Sequence, residues 1–356
     1  MARRSGKKRM TLEDVARLAG VSKTTVSLVL NDKDGVGAGK REEILRIVEE
    51  TGYQWKARGK RQGQRNTVRF VKYKEQGFMV EQNGDFISRI TDGMEQMAHR
   101  NDMILSITNV SADDLEEMIP KINEEEDFGI VFLATEFPPN RAEVLSKFHA
   151  PLVILDNEMR WQNYNVVVMD NAYAIYMAVK HLYEMGHRRI GHITTQCPVS
   201  NMEARTHAFG DVMQSLGLTW ESRYAYTTAD DIDSYCDSLL EQLDPNDLPT
   251  ALVADNDTIA INALLALDKL GKRVPEDVSV MGIDDLTISA ITRPELTTVR
   301  LEKTRMGRLA IERVLSIAEG DSAPMKIFTG AKLIRRKSVA RILPESDRQW
   351  KGGGTC

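Results

Sequence analysis

Lys23, Thr24, Ser27 and Leu28 share the outer side of a short segment whose remaining positions are largely apolar, so a cation, two hydroxyls and a branched apolar tip are offered to a partner. A lysine can donate to guanine O6 or N7, and a leucine can meet only an apolar surface such as a thymine methyl, so the set suits the edges of base pairs. A second group lies further along. Asp156, Asp170, Asn256 and Asp284 sit at the ends of apolar, β-rich runs, where open α/β sheets gather ligand-binding groups. Acceptors placed there can hold a small polar molecule. A carboxylate after a strand also serves as a cap or turn, and both roles stand open for Asp170 and Asp284.

The elements that position the first group are two short helices around a corner. Thr11 can cap a helix, with Asp14 returning the bond in a capping box, and Val15, Ala16 and Leu18 are expected on its inner side. Ala19-Gly20-Val21 makes the corner and Ser22 caps the second helix, along which Val26, Val29 and Leu30 face inward. A third helix over about 38–50 should pack beneath them, with Gly52 placed to stop it. This is a helix-turn-helix; an ordinary helical hairpin with a polar outer face is the bland alternative. Charge weighs against the alternative: residues 1–65 hold 16 Lys or Arg against 8 Asp or Glu, while the whole chain carries −5. A basic module on an acidic body is the electrostatic footprint of nucleic-acid binding. Lys56 and Arg58 belong to a basic cluster just after the helices, where phosphate contacts would help.

A chain of 356 residues with 42% apolar content can bury ample core, in one small domain and a larger body. No run of about 18 apolar residues and no secretory leader is found, so the expected location is cytoplasmic, with no membrane partner. Cys197, Cys236 and Cys356 are few, odd in number and far apart, and six scattered histidines lack ligand spacing. No metal and no cofactor are expected. Met94, Met97 and Met118 read as packing.

The organisation expected is a helix-turn-helix domain over 1–53, a basic linker over 54–65, a body over 66–343 and a tail over 344–356. In the body, β-rich runs near 67–71, 104–107, 130–133, 153–155, 166–168, 189–193, 251–254 and 278–282 alternate with helical periods near 87–98, 173–185, 204–216, 234–243 and 259–270. Such alternation predicts parallel sheets covered by helices. Gly186 and Gly271 fall at expected helix ends.

Several ordered motifs carry a resemblance across most of the chain: LEDVARLAGVSKTTVSLVLN, EETGY at 49–53, HLYEMGHRRIGHI at 181–193, DNDTIAINALLALDKLGKRVPEDVSVMGIDD at 255–285 and RPELTTV at 293–299. Over about 10–343 the sequence resembles bacterial transcription regulators of the lactose-repressor/galactose-repressor (LacI/GalR) family. The resemblance implies an α/β fold with an N-terminal helix-turn-helix and a body like a periplasmic binding protein. That body would have two α/β subdomains, about 66–169 with 296–324 and about 170–295 with 325–343, an effector between them, and homodimers on a near-palindromic double-stranded DNA operator.

The resemblance also assigns roles. Lys23, Thr24 and Leu28 would read bases, with Thr25 and Ser27 nearer the backbone. Arg205 and Asp284 would reach an effector, for which a sugar is expected and a nucleobase or nucleoside is the alternative. Phe86 and Trp161 would offer an aromatic face to a sugar ring, and Asp156 and Asn256 further polar contacts. Asp85 stands where some relatives carry an aromatic. The linker departs from the family pattern: Tyr53-Gln54-Trp55-Lys56-Ala57-Arg58-Gly59-Lys60 has no matching leucine to wedge into the minor groove, and glycines stand where helix is wanted. After Leu343 there are no heptads for a tetramer-forming helix.

Rival readings are weaker. Gly35 to Lys40 imitates a phosphate-binding loop but lacks its spacing, the Ser or Thr after the lysine and a preceding strand. No GxSxG element or set of phosphoryl-transfer groups appears, which speaks against an enzyme. A plain solute-binding protein would share the body but leaves the helix-turn-helix unexplained.

Overall fold

In the computed structural model the described residues are 10–30, 35–51, 53, 66–77, 79–80, 83–197 and 199–342. The chain divides into two units, Met1–Gln64 and Arg65–Cys356. The expected linker over 54–65, with Lys56 and Arg58, and the tail lie outside the described residues.

The first unit contains α1 (Leu12–Leu18), α2 (Lys23–Leu30) and α3 (Ala38–Thr51). The capping box forms: Asp14 N–H donates to Thr11 Oγ1 at 3.3 Å and Thr11 N–H to Asp14 Oδ2 at 3.1 Å. Gly20 takes φ 64° at the corner, a conformation open to glycine at little cost. Val15, Ala16, Ala19, Val26, Val29 and Ile44 form the core, and burying each larger side chain contributes about 1.5–3 kcal/mol. Leu18 departs from expectation, being 55% exposed. The inward stripe of so short a helix is taken by 12, 15, 16 and 19, spaced by three and four, and Leu18 falls off it.

The second unit is built on two six-stranded sheets. The first runs β11-β5-β4-β3-β1-β2, from β1 (Thr67–Lys74), β2 (Ile104–Ser111), β3 (Gly129–Leu133), β4 (Leu152–Leu155), β5 (Val166–Met169) and β11 (Lys326–Thr329), all parallel. The second runs β12-β10-β9-β8-β6-β7, from β6 (Ile190–Thr195), β7 (Ala225–Thr228), β8 (Ala251–Ala254), β9 (Ser279–Asp284), β10 (Thr297–Leu301) and β12 (Ala331–Ile334), with β12 alone antiparallel. Strands β3, β5 and β8 are buried at every position, as sheets covered on both faces require.

Helices α4 (Gly84–Arg100), α5 (Leu115–Glu124) and α10 (Lys303–Ala318) accompany the first sheet; α6 (Asn171–Glu184), α7 (Ser200–Ser215), α8 (Tyr235–Leu240) and α9 (Asp257–Lys269) accompany the second. Gly93 and Gly307 let α4 and α10 touch backbone to backbone: a Cβ on Gly93 would lie 2.0 Å from Thr304 O, and one on Gly307 2.0 Å from Ile90 O. The chain passes between the two lobes three times, at Asp170, Glu302 and Gly330, each the only residue between the elements it joins. These passages correct the expected subdomain bounds. β10 pairs with β9, so the second crossing falls at 302 rather than near 296, and β11 pairs with β5, so the third falls at 330 rather than 325.

Candidate functional site

In the first unit Ser22 Oγ accepts from Thr25 N–H at 3.1 Å and starts α2. Its hydroxyl lies 2.9 Å from Thr25 Oγ1, so Thr25 belongs to the cap. Lys23 and Thr24 are exposed, while Thr25, Ser27 and Leu28 are half-buried. Lys23 Nζ lies 2.9 Å from Glu13 Oε2, but both side chains are mostly solvated, and such a pair is worth little and yields readily to a phosphate or a base. The helix face thus carries the expected donor and hydroxyls on a rigid three-helix support.

In the second unit a cavity of about 380 Å3, including its open mouth, lies at the carboxyl ends of β3, β4, β5 and β9. Four of the expected effector residues line it: Phe86, Asp156, Arg205 and Asp284. Asn83, Thr135 and Asn201 add polar atoms, and Met79, Ile87, Met169, Val199 and Met202 supply apolar wall.

Arg205 is 2% exposed, and its neighbours fix its direction. Its Nε donates to Asn171 Oδ1 at 2.8 Å, its Nη1 donates to the main-chain oxygen of Asp255, and its Nη2 lies 3.8 Å from Asp284 Oδ1. Asp284 is 4% exposed, with φ 118°, and its Oδ1 has no hydrogen-bond partner among the described groups. Burial pushes its carboxyl up, against the pull of Arg205 and Lys303. Lys303 donates to the main-chain oxygen of Asp284 and stands 5.7 Å from the Phe86 ring centre. Burial likewise lifts the Asp156 carboxyl to about 7, opposed by Thr135 and Arg205 and reinforced by Asp284. Thr135 Oγ1 donates to Asp156 Oδ2 at 2.6 Å. Thr135 and Asn201 serve both oxygens of Asp156, whereas Asp284 Oδ1 lacks a donor, so an open acceptor stands beside a guanidinium, which an O–H or N–H of a ligand would complete.

Trp161 and Asn256 do not join the cavity. Trp161 is 85% exposed, with the Arg160 guanidinium 5.1 Å from its ring centre. In the loop after β4 it is Met159 that turns inward, fully buried, so the indole is left outside. Asn256 is buried but caps α9, accepting from Ile259 N–H at 2.8 Å, and that bond engages its side-chain oxygen. Asp170 takes the capping alternative as well, accepting from Tyr173 N–H at 2.9 Å. Asp85 bridges the lobes: Thr287 Oγ1 donates to it at 3.1 Å, and despite some desolvation, Thr287 N–H and Arg89 hold its carboxyl below the ordinary range.

Residues 11–55 match the bacterial regulatory proteins of the lacI family, and residues 179–339 match the periplasmic binding protein-like domain. The HTH-type transcriptional repressor PurR of Haemophilus influenzae is 30% identical over 344 residues, covering 94% of this chain and 99% of the relative. The chain belongs to the LacI family. The ribose operon repressor of the same organism is 28% identical over 311 residues, 86% of this chain and 91% of its own. Among solved structures, a CelR-cellobiose complex superposes with TM-score 0.69 at 25% identity over 93% of this chain and 100% of that one. A lac repressor dimer bound to operator and the anti-inducer ONPF gives 0.68 at 21% over 94% and 100%, a likeness of fold. This LacI-family chain is thus a DNA-binding regulator with a periplasmic-binding-protein-like body. No described helix is long and apolar enough to cross a membrane.

Thr135, Asn171, Asn201 and Met79 escape sequence reasoning. They gather at the site through strand ends and two helix starts far apart in the chain, and no spacing marks them.

Proposed function

We propose that the protein is a homodimeric, cytoplasmic transcriptional repressor that reads a near-palindromic operator with Lys23, Thr24 and Leu28, with Thr25 and Ser27 toward the phosphates. Its operator affinity is set by a small polyhydroxylated effector, a sugar, held by Phe86, Asp156, Arg205 and Asp284. The observation that carries the effector class is the pair of buried carboxyls beside Arg205, with Phe86 the one aromatic side chain among the described residues lining the cavity. Vicinal hydroxyls donate to carboxylates and accept from an arginine fork, and a sugar ring has one apolar face to lay on one aromatic. Effector binding changes the relation of the lobes and through it DNA affinity.

A nucleobase is the second reading, favoured by the PurR relatives, which align along nearly the whole chain. A flat base has two apolar faces, and beyond Phe86 the described lining offers a second face only methionine, isoleucine and valine side chains.

The test is thermal denaturation of the full chain against a panel of sugars, nucleosides and nucleobases. A ligand at about 100 times its Kd stabilises the folded state by about 2.7 kcal/mol, a rise in melting temperature that is easily read. A sugar should give it, and Arg205→Ala and Asp284→Ala should abolish it. A response confined to nucleobases would replace the sugar, and a response surviving both substitutions would move the site elsewhere.

A further inference from the structure

We infer that Glu136 is a positioning residue of the cavity: its carboxylate gathers five main-chain N–H groups of the segment after β1 and thereby holds Met79 in the wall, against the opposite lobe. The inference rests on the reading of this cavity as the effector site.

Glu136 follows β3 and is 7% exposed. Oε2 accepts from the N–H groups of Glu75, Gln76 and Gly77 at 2.9, 3.1 and 2.8 Å, and Oε1 from those of Met79 and Val80 at 2.7 and 2.9 Å. Main-chain donors that converge this way form an anion-binding nest. Gly77 has φ 87°, the left-handed conformation that lets the chain curl around the carboxylate. Without an anion at its centre, five donors would point at one another's partial charge, those of Gly77, Met79 and Val80 in buried positions, and the segment would have to open.

What the nest fixes is Met79, which is 2% exposed. It lines the cavity and forms a small apolar cluster with Cys197, Val199 and Met202. Those three belong to the lobe of the second sheet, whereas Glu136 and Met79 belong to that of the first. One internal carboxylate therefore sets both a wall of the site and an apolar contact across the cleft. Glu136 is not itself among the lining residues; its carboxylate holds the Met79 N–H and shapes the site through that residue.

Cys197 reports on this contact without any effector. It is 6% exposed under Met79, and Cys236, 8% exposed in a separate core cluster, is the internal control. Full-length protein would be alkylated with iodoacetamide and the two cysteine peptides followed by mass spectrometry. Glu136→Gln and Met79→Ala should each raise the Cys197 rate about tenfold, by opening the local contact, with Cys236 unchanged. The double variant should add little to either single one, because the two residues act in series. An unchanged Cys197 rate in Glu136→Gln, or additive effects in the double variant, would overturn the inference. If Glu136→Gln exposes Cys236 too, the fold is lost and Gly77→Ala decides in its place: it strains the nest with Glu136 intact, and a Cys197 rate equal to that of the parent overturns the inference. A failed sugar screen would leave these rates untouched and count against the effector reading alone.

Discussion

Asn201, at the start of α7, donates its amide to Asp156 twice across the cleft, to the main-chain oxygen at 2.9 Å and to Oδ1 at 3.1 Å. It also accepts from Asn171 Nδ2 at 2.9 Å, and Asn171 in turn accepts from Arg205. A line of amides thus ties the carboxyl of one lobe to the guanidinium of the other. A hydrogen bond to a charged group is worth about 1.5–3 kcal/mol, so Asn201→Ala should weaken effector binding about 10- to 100-fold. Calorimetric titration with the sugar found in the thermal screen measures this, and an unchanged Kd would show that Asn201 merely packs.

Asp156 gives the site a pH dependence. Burial raises its folded value from the ordinary 3.8 to about 7. For a raised acid, the unfolded chain ionises first as pH climbs, so stability is lost from about pH 4 upward and the penalty is complete above about pH 7. Asp156→Asn removes that penalty. The melting temperature of the variant relative to the parent should therefore rise between about pH 5 and pH 8. Asp257, also raised by burial, is present in both proteins and cancels in the difference; Asp284, whose charge reinforces the rise at Asp156, loses a like-charged neighbour in the variant and adds to the change in the same direction. A difference flat across that range would refute the assignment.

The crossing of α4 and α10 leaves no room for a methyl group. With a Cβ 2.0 Å from a carbonyl oxygen at either glycine, Gly93→Ala and Gly307→Ala should each cost about 1–3 kcal/mol, the range of an overpacked core. Urea denaturation followed by tryptophan fluorescence reads the loss. A midpoint equal to the parent's in both would show that the helices part at no cost.

On the DNA side, Leu28→Arg should change preference at one base pair of the operator, because leucine meets only an apolar surface such as a thymine methyl and arginine favours guanine. Binding to a panel of single-base operator variants reports it, and a uniform loss over the panel would deny base reading at this position. Binding should also fall steeply with salt, given the basic residues of 1–65. A shallow slope would contradict a backbone-charge contribution from the linker.

What the sequence made legible is what repeats locally. The capping box, the apolar stripe of α2 and the end of α3 depend on neighbours a few residues apart, and Thr11, Asp14, Val26 and Val29 stand as their spacing implies. Buried strands such as β3 and β8 announce themselves as unbroken apolar runs. The short strands β7, β10, β11 and β12 and the helices α5 and α10 carry no comparable local signal. α5 carries Pro120 in its interior, a residue that argues against helix by propensity and is tolerated here because tertiary packing holds it. At the site, the family motif points to Arg205 and Asp284, which line the cavity, whereas Trp161 has only its side-chain chemistry to suggest it and lies outside, where the loop turns Met159 inward. Glu136 gave no signal, since its partners are main-chain N–H groups some sixty residues away, and main-chain donors leave no trace in side-chain types.

Gly330 alone separates a strand of one sheet from a strand of the other, and Asp170 and Glu302 do the same for a strand and a helix. Three stitches of one residue each leave the lobes no slack to slide or draw apart; they can only swivel, with every stitch absorbing the turn in its own φ and ψ. At Asp170 the swivel is further checked, because the side chain that spans the stitch also holds the first turn of α6. An extra glycine after Gly330 would loosen one stitch of three, and a regulator so altered should still take up its effector while passing less of that event on to the operator.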